Sequence, residues 1–247
     1  MEQIYENYTS QDQQVWKTLF DRQIVNLPQA ATREFLSGLE RIKFTHKKIP
    51  NFKETNELLM QCTGWKLHAV PGIVDDKIFF ELLADKKFPA TTWIRKMSQL
   101  DYLEEPDMFH DVFAHVPLLT NQLFVDFLQS ISMLALDHID DPWAIHLVSR
   151  VYWFTVEFGL IREEGVVRIY GAGILSSVGE TKYCLGKKPE HLNYDVKKVL
   201  TTSYRKDIFQ TLYFLINSYD QLFASIDDIK DELEELLKLP AQKEFAA

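Results

Sequence analysis

One carboxylate constrains this chain more than any other residue. The run VYWFTVEFGL (151–160) carries a single charge, Glu157, among Trp153, Phe154, Val156 and Phe158. So apolar a run belongs in a core, and a carboxylate is almost never buried without a partner, because an unpaired buried charge is strongly penalised. Whatever fold forms must bring a counter-charge to Glu157. An arginine is the simple solution; a metal ion is the other.

The groups able to share a metal lie upstream, in PDMFHDVFAHVPLL (106–119), which holds His110, His115 and, beside the first, Asp111. Pro106 suits the first turn of a helix, where its missing N–H costs nothing. Pro117 disfavours helical geometry at Val116, so the segment predicts a helix of about ten residues stopping near His115. Metal-binding helices often place ligands at i and i+4. Here the spacing is five residues, roughly 140° around an ideal helix. Both histidines reach one metal only if the helix is distorted or ends between them. Packed among Phe109, Val112 and Phe113, they are equally compatible with partly buried polar side chains. Joined by Glu157 they make two histidines and one carboxylate, a set that suits oxygen-activating non-haem Fe(II). A zinc hydrolase uses the same three ligands.

Elsewhere helical periodicity dominates. Ser10 with Gln13 reads as a capping box before a helix with Val15, Trp16, Leu19 and Phe20 on one face. Helices are expected over 28–42, over 54–62 with Gly64 as the stop, and after Asp75 or Asp76 through Ile78, Phe79, Leu82 and Leu83. Residues 88–95 (FPATTWIR) read as an extended segment uncharged until Arg95. Further helices are expected over 121–136 and from Pro142, capped by Asp141, through Leu147 to Glu157. His146 on that helix reads as structural or exposed. Residues 166–170 read as a short strand, and 221–239 as an amphipathic helix lying on the core or in a dimer contact. The expectation is one mainly α-helical domain of packed helices over 1–247, with one or two short β-strands.

The formal charge of −9 without a basic stripe argues against nucleic acid. No apolar run reaches membrane-spanning length, and the polar N-terminus lacks a signal peptide's apolar region. The cytoplasm is the expected compartment. Cys62 and Cys184 imply no disulfide framework and are expected to be buried thiols.

PDMFHDVFAHVPLL, VYWFTVEFGL and YGAGILSSVGE (170–180) together resemble the three signature blocks of the pterin-dependent aromatic amino acid hydroxylases, in the family's order and at about its spacing. The compact bacterial phenylalanine 4-hydroxylases are the nearest type. The resemblance covers about residues 8–219 and thins in the tail. It implies an Fe(II)- and tetrahydropterin-dependent monooxygenase that hydroxylates the ring of L-phenylalanine with O2. The metal ligands are then His110, His115 and Glu157. Gly72, Val74, Phe79, Asp111 and Tyr152 would hold the pterin. Arg95, Tyr102, Pro106, Asp107, Trp153, Gly173 and Ser176 would form the substrate side, with Arg95 gripping the carboxylate, Asp107 supporting it and Ser176 bonding a ligand histidine. The partners are an aromatic amino acid and a reduced pterin, and the chain is expected to be a monomer, with a weak dimer as the alternative.

Three positions depart from the family's pattern. Ala114 replaces a common glycine, Leu103 stands where many animal members have threonine, and Lys206 stands where phenylalanine enzymes favour an aliphatic residue. Ala114 leaves the ligands intact, whereas Leu103 and Lys206 keep tryptophan or tyrosine open as substrates, and ligand type alone keeps the zinc hydrolase open.

Overall fold

The computed structural model describes residues 1–101, 103 and 105–239. Helices dominate, as periodicity predicts. Helix α1 (Ser10–Ile24) buries Val15, Trp16, Leu19 and Phe20. Its capping box sits one residue earlier than expected, with Thr9 accepting from the Asp12 N–H and Asp12 accepting from the Thr9 N–H. The single helix expected over 28–42 is two, α2 (Leu27–Ala30) and α3 (Arg33–Arg41). Thr32 interrupts them, taking extended backbone and capping the Phe35 N–H with its hydroxyl. Helix α4 (Phe52–Cys62) is capped by Asn51 and stopped by Gly64 at φ 76°. Cys62, at its end, is exposed rather than buried; Cys184 is buried as expected.

Strand β1 (Lys66–Val70), helix α5 (Asp76–Ala84, capped by Asp75) and strand β2 (Lys87–Thr91) form a crossover unit, with β1 and β2 parallel. Helices α6 (Gln122–Asp137) and α7 (Pro142–Tyr152) follow, the second capped by Asp141 as its sequence requires. The remainder is β3 (Leu160–Glu163), β4 (Val166–Ile169), α8 (Ala172–Leu175), α9 (Val178–Cys184), β5 (Glu190–Asn193), α10 (Val196–Thr201), β6 (Leu212–Ile216), α11 (Tyr219–Ala224) and α12 (Ile226–Leu237). The second sheet runs β4-β3-β6-β5, antiparallel at β3/β4 and parallel elsewhere. The described residues therefore hold six strands where the sequence predicts one or two. None exceeds five residues, too short for an alternating pattern to register.

The buried apolar side chains form one cluster from α1 to α12. Within it Phe109 and Phe113 stack with centroids 4.5 Å apart, and Trp16 meets both edge-on at 5.6 and 6.4 Å. Such ring pairs contribute about 0.5–1.5 kcal/mol each beyond burial, and they fasten the apolar side of residues 109–113 to α1. The tail helix α12 buries Ile229 and Leu233 and packs on α6, α7 and α10. No helix among the described residues is long and apolar enough to cross a membrane.

Helix α3 meets the turn after His115 at Gly38, where an added Cβ would stand 2.1 Å from the Pro117 carbonyl oxygen. Overpacking of this kind costs about 1–3 kcal/mol, occasionally more. Gly38→Ala is therefore expected to lower the melting midpoint, by roughly 2–4 °C per kcal/mol in a domain this large. An unchanged midpoint in a thermal melt would contradict the close approach.

Candidate active site

The awkward five-residue spacing is resolved by the backbone. Residues Phe109–Ala114 form a π-helical turn rather than an α-helix. A π-turn closes i→i+5 hydrogen bonds, which brings residues five apart onto one side. The His110 and His115 Nε2 atoms lie 3.3 Å apart. Phe109, Val112 and Phe113 are buried among the core side chains. Pro106 precedes this helical turn instead of opening it, and Asp107 acts as its cap, accepting the His110 N–H at 3.2 Å. The turn ends at Ala114, with His115 leading into the 3₁₀ turn Val116–Thr120 that holds Pro117.

A second π-turn, Trp153–Glu157, continues α7 and carries the carboxylate. Glu157 Oε1 lies 3.1 Å from His115 Nε2 and Oε2 lies 3.6 Å from His110 Nε2. One ligand atom from each of the three residues falls within 4.8 Å of the others. Burial works against the Glu157 charge, yet the two histidines and a hydrogen bond from Tyr152 hold it well below the ordinary carboxylate range. Burial pushes the His110 imidazole down, against the pull of Glu157. The two directions favour the ionised carboxylate and the unprotonated imidazole that metal binding requires. His110 Nδ1 lies 2.9 Å from Ser176 Oγ, which can donate onward to the Gly173 carbonyl at 3.3 Å. Read in that direction, Nδ1 carries the proton and Nε2 keeps its lone pair for a metal.

The three candidate ligands open into a cavity of about 590 Å³. Gly72, Val74, Phe79, Asp111 and Tyr152 line it, as do Arg95, Pro106, Trp153, Gly173 and Ser176. Asp107 is fully buried behind Arg95, and Tyr102 lies outside the described residues. Asp107 holds the arginine by its backbone N–H at 2.9 Å, Nε at 2.8 Å and Nη2 at 2.7 Å. The Nε–Nη2 edge of the guanidinium is thus occupied, and among the described residues no hydrogen bond reaches Nη1. Asp111 accepts from both the N–H and the hydroxyl of Thr91, each at 2.8 Å, while burial raises its pKa. The Phe79 ring meets Tyr152 edge-on at 5.3 Å. Phe88 packs on the His115 ring at 4.7 Å, and Trp153 stacks on Tyr204 at 4.3 Å.

The sequence did not single out Thr91 or Gln210. Thr91 is one hydroxyl at the end of the short strand β2, and Gln210 is an uncharged side chain in an irregular segment, so neither leaves a local signal.

Residues 2–242 match the sequence pattern of the family described as biopterin-dependent aromatic amino acid hydroxylase. The chain belongs to that family. Among its relatives, the phenylalanine-4-hydroxylase of Ralstonia nicotianae is 47% identical over 242 residues, covering 97% of this chain and 77% of the relative. That of Chromobacterium violaceum is 46% identical over 227 residues, covering 90% and 74%. A crystal structure of the C. violaceum enzyme with bound Fe(III) superposes with a TM-score of 0.93 at 43% identity, covering 98% of this chain and 88% of that one. Another, with iron(III) and 7,8-dihydrobiopterin, gives 0.91 at 45% identity, covering 96% and 86%. In the present hydroxylase the three departures fall in different places. Ala114 is fully buried within the first π-turn and leaves both histidines in position. Leu103 and Lys206 line the cavity.

Proposed function

We propose that this hydroxylase converts L-phenylalanine to L-tyrosine with O2, using iron(II) held by His110, His115 and Glu157 and a tetrahydropterin bound beside it. The observation that carries the reading is the two-histidine, one-carboxylate face opening on a cavity walled by aromatic rings and one arginine. The donor set fits the metal: two imidazole nitrogens and a carboxylate oxygen converge on one side of the cavity, leaving the cavity side open for further ligands. When bound, iron and the reduced pterin supply oxygen activation and two electrons, and one oxygen atom enters the ring.

The protein's own work is positioning. Ser176 fixes the orientation of His110, and Tyr152 does the same for Glu157. The free edge of Arg95 takes the substrate carboxylate in a two-pronged contact that lysine does not offer. Trp153, Pro106 and Gly173 bound the space for the ring. A Cβ on Gly173 would come 2.7 Å from the tip of the Phe158 ring, so a larger residue there would push that ring aside. Backbone groups of Gly72 and Val74 hold the pteridine, Phe79 stacks on it, and Tyr152 and Asp111 border it. The exposed unpaired thiol of Cys62 suits a reducing compartment, and the covered apolar face of α12 suits a monomer; the enzyme is read as a cytoplasmic monomer.

The decisive assay is tyrosine formation from phenylalanine in air, with and without tetrahydropterin. Product only when pterin is present is the expected result. Tyrosine formed without pterin, or zinc-dependent hydrolysis in its place, would overturn the reading. Phe79→Ala is expected to raise the KM for pterin about tenfold, the scale of a lost ring stack, while the KM for phenylalanine stays within twofold. Equal rises in both would make Phe79 a packing residue.

A further inference from the structure

Residues 202–211 contain no helix or strand, yet Tyr204, Lys206 and Phe209 from this segment line the cavity. The segment is fastened in several places. Phe209 packs over α9, where a Cβ on Gly179 would stand 2.8 Å from its ring, and it meets Tyr183 at 5.2 Å. Glu180, also on α9 and buried, accepts the Gln210 N–H at 3.1 Å and the Tyr213 hydroxyl. Tyr204 lies nearly parallel to Trp153, at 16°.

The Gln210 side chain joins these points. It is 5% exposed. Its Nε2 donates to the Arg205 carbonyl at 2.8 Å and the Ile208 carbonyl at 3.3 Å, which closes the turn. Its Oε1 accepts from the Trp153 indole N–H at 3.1 Å. The turn is closed by the first two bonds alone. The third reaches across 57 residues of sequence to a wall of the cavity, and it fixes the indole that faces Tyr204. A wall held by a buried hydrogen bond in addition to packing has little freedom to yield to a larger ligand.

We infer that Gln210 is a positioning residue for substrate selection: through its bond to Trp153 it sets the Trp153–Tyr204 wall that admits a one-ring amino acid and disfavours a two-ring one. This rests on the phenylalanine reading above. It adds that discrimination depends on a residue that acts through the indole.

The test is a double-mutant cycle in Gln210→Leu and Trp153→Phe, reading calorimetric dissociation constants for phenylalanine and tryptophan on iron(II)-loaded protein without pterin. Gln210→Leu is expected to weaken phenylalanine binding roughly three- to tenfold, the worth of one neutral hydrogen bond. Tryptophan binding should stay within twofold and iron content should be unchanged. In the Trp153→Phe background, which lacks the indole donor, Gln210→Leu should change phenylalanine binding less than twofold. Wild-type discrimination in Gln210→Leu, or an undiminished effect in the Trp153→Phe background, would overturn the inference. Should Gln210→Leu not fold, Trp153→Phe alone removes the indole donor while leaving the bonds that close the turn in place; a wild-type preference for phenylalanine over tryptophan in that variant would also overturn the inference. Wild-type protein that binds phenylalanine without hydroxylating it would defeat the functional reading alone, and the cycle would still decide on Gln210.

Discussion

Replacing His115 with alanine is expected to leave a folded protein that retains almost no iron and makes no tyrosine. His115 is buried, supplies one of three donors, and stands closest to Glu157 at 3.1 Å. Removing it leaves one histidine and one carboxylate to hold the metal. Losing a residue that only orients a ligand typically costs 10–100-fold in metal affinity or activity. That range is the expectation for Ser176→Ala, which releases His110 Nδ1, and the loss in His115→Ala should exceed it. Metal analysis after dialysis, beside a near-ultraviolet circular dichroism spectrum to confirm folding, checks both variants. Stoichiometric iron in His115→Ala would remove this residue from the metal site.

Asp107→Ala should produce the largest loss of stability of any single change near the site. Asp107 has no exposed surface and ties three groups together: the Arg95 backbone N–H, the Arg95 guanidinium and the His110 N–H near the start of the π-turn. Arg95 itself is only 9% exposed, so removing its partner leaves a buried charge unpaired. Breaking such a pair costs about 3–5 kcal/mol, which lowers the melting midpoint by roughly 6–20 °C at this chain length. Arg95→Lys tests the other half of the pair. Losing the fork should weaken phenylalanine binding roughly ten- to a hundredfold, the worth of one charge-assisted contact, with iron content unchanged. An Asp107→Ala protein with the wild-type midpoint, or an Arg95→Lys protein with wild-type affinity, would show that the pair is dispensable.

The three candidate ligands stood out in the sequence because each breaks a local rule. Glu157 is a lone charge in an apolar run, and His110 and His115 stand between two prolines that bound a short helix. The π-turns were not legible. Composition forecasts that a segment is helical, but the choice between i→i+4 and i→i+5 closure is made by packing, here by Phe109, Phe113 and Trp16 on the side away from the ligands. Similar limits explain the smaller misses. Thr9 with Asp12 and Ser10 with Gln13 are adjacent and chemically equivalent as caps, so the sequence does not choose between them. Thr32 follows two alanines that favour helix, and its break is fixed by a tertiary bond from its N–H to the Ile169 carbonyl. The strand β6 (LYFLI) is apolar throughout because it is interior to its sheet, which hides the alternation that marks a strand with one wet face. Gln210 and Thr91 act through partners 57 and 20 residues away, a relation local reading does not reach.

Anomalous diffraction at the iron edge, from crystals of protein loaded with iron(II) in the absence of pterin, tests the central claim most directly. The account predicts a single peak among the two π-turns, within about 2.0–2.2 Å of His110 Nε2, His115 Nε2 and a Glu157 oxygen, as is usual for nitrogen and oxygen ligands of such metals. A peak held by other side chains, or by one of these three alone, would contradict it.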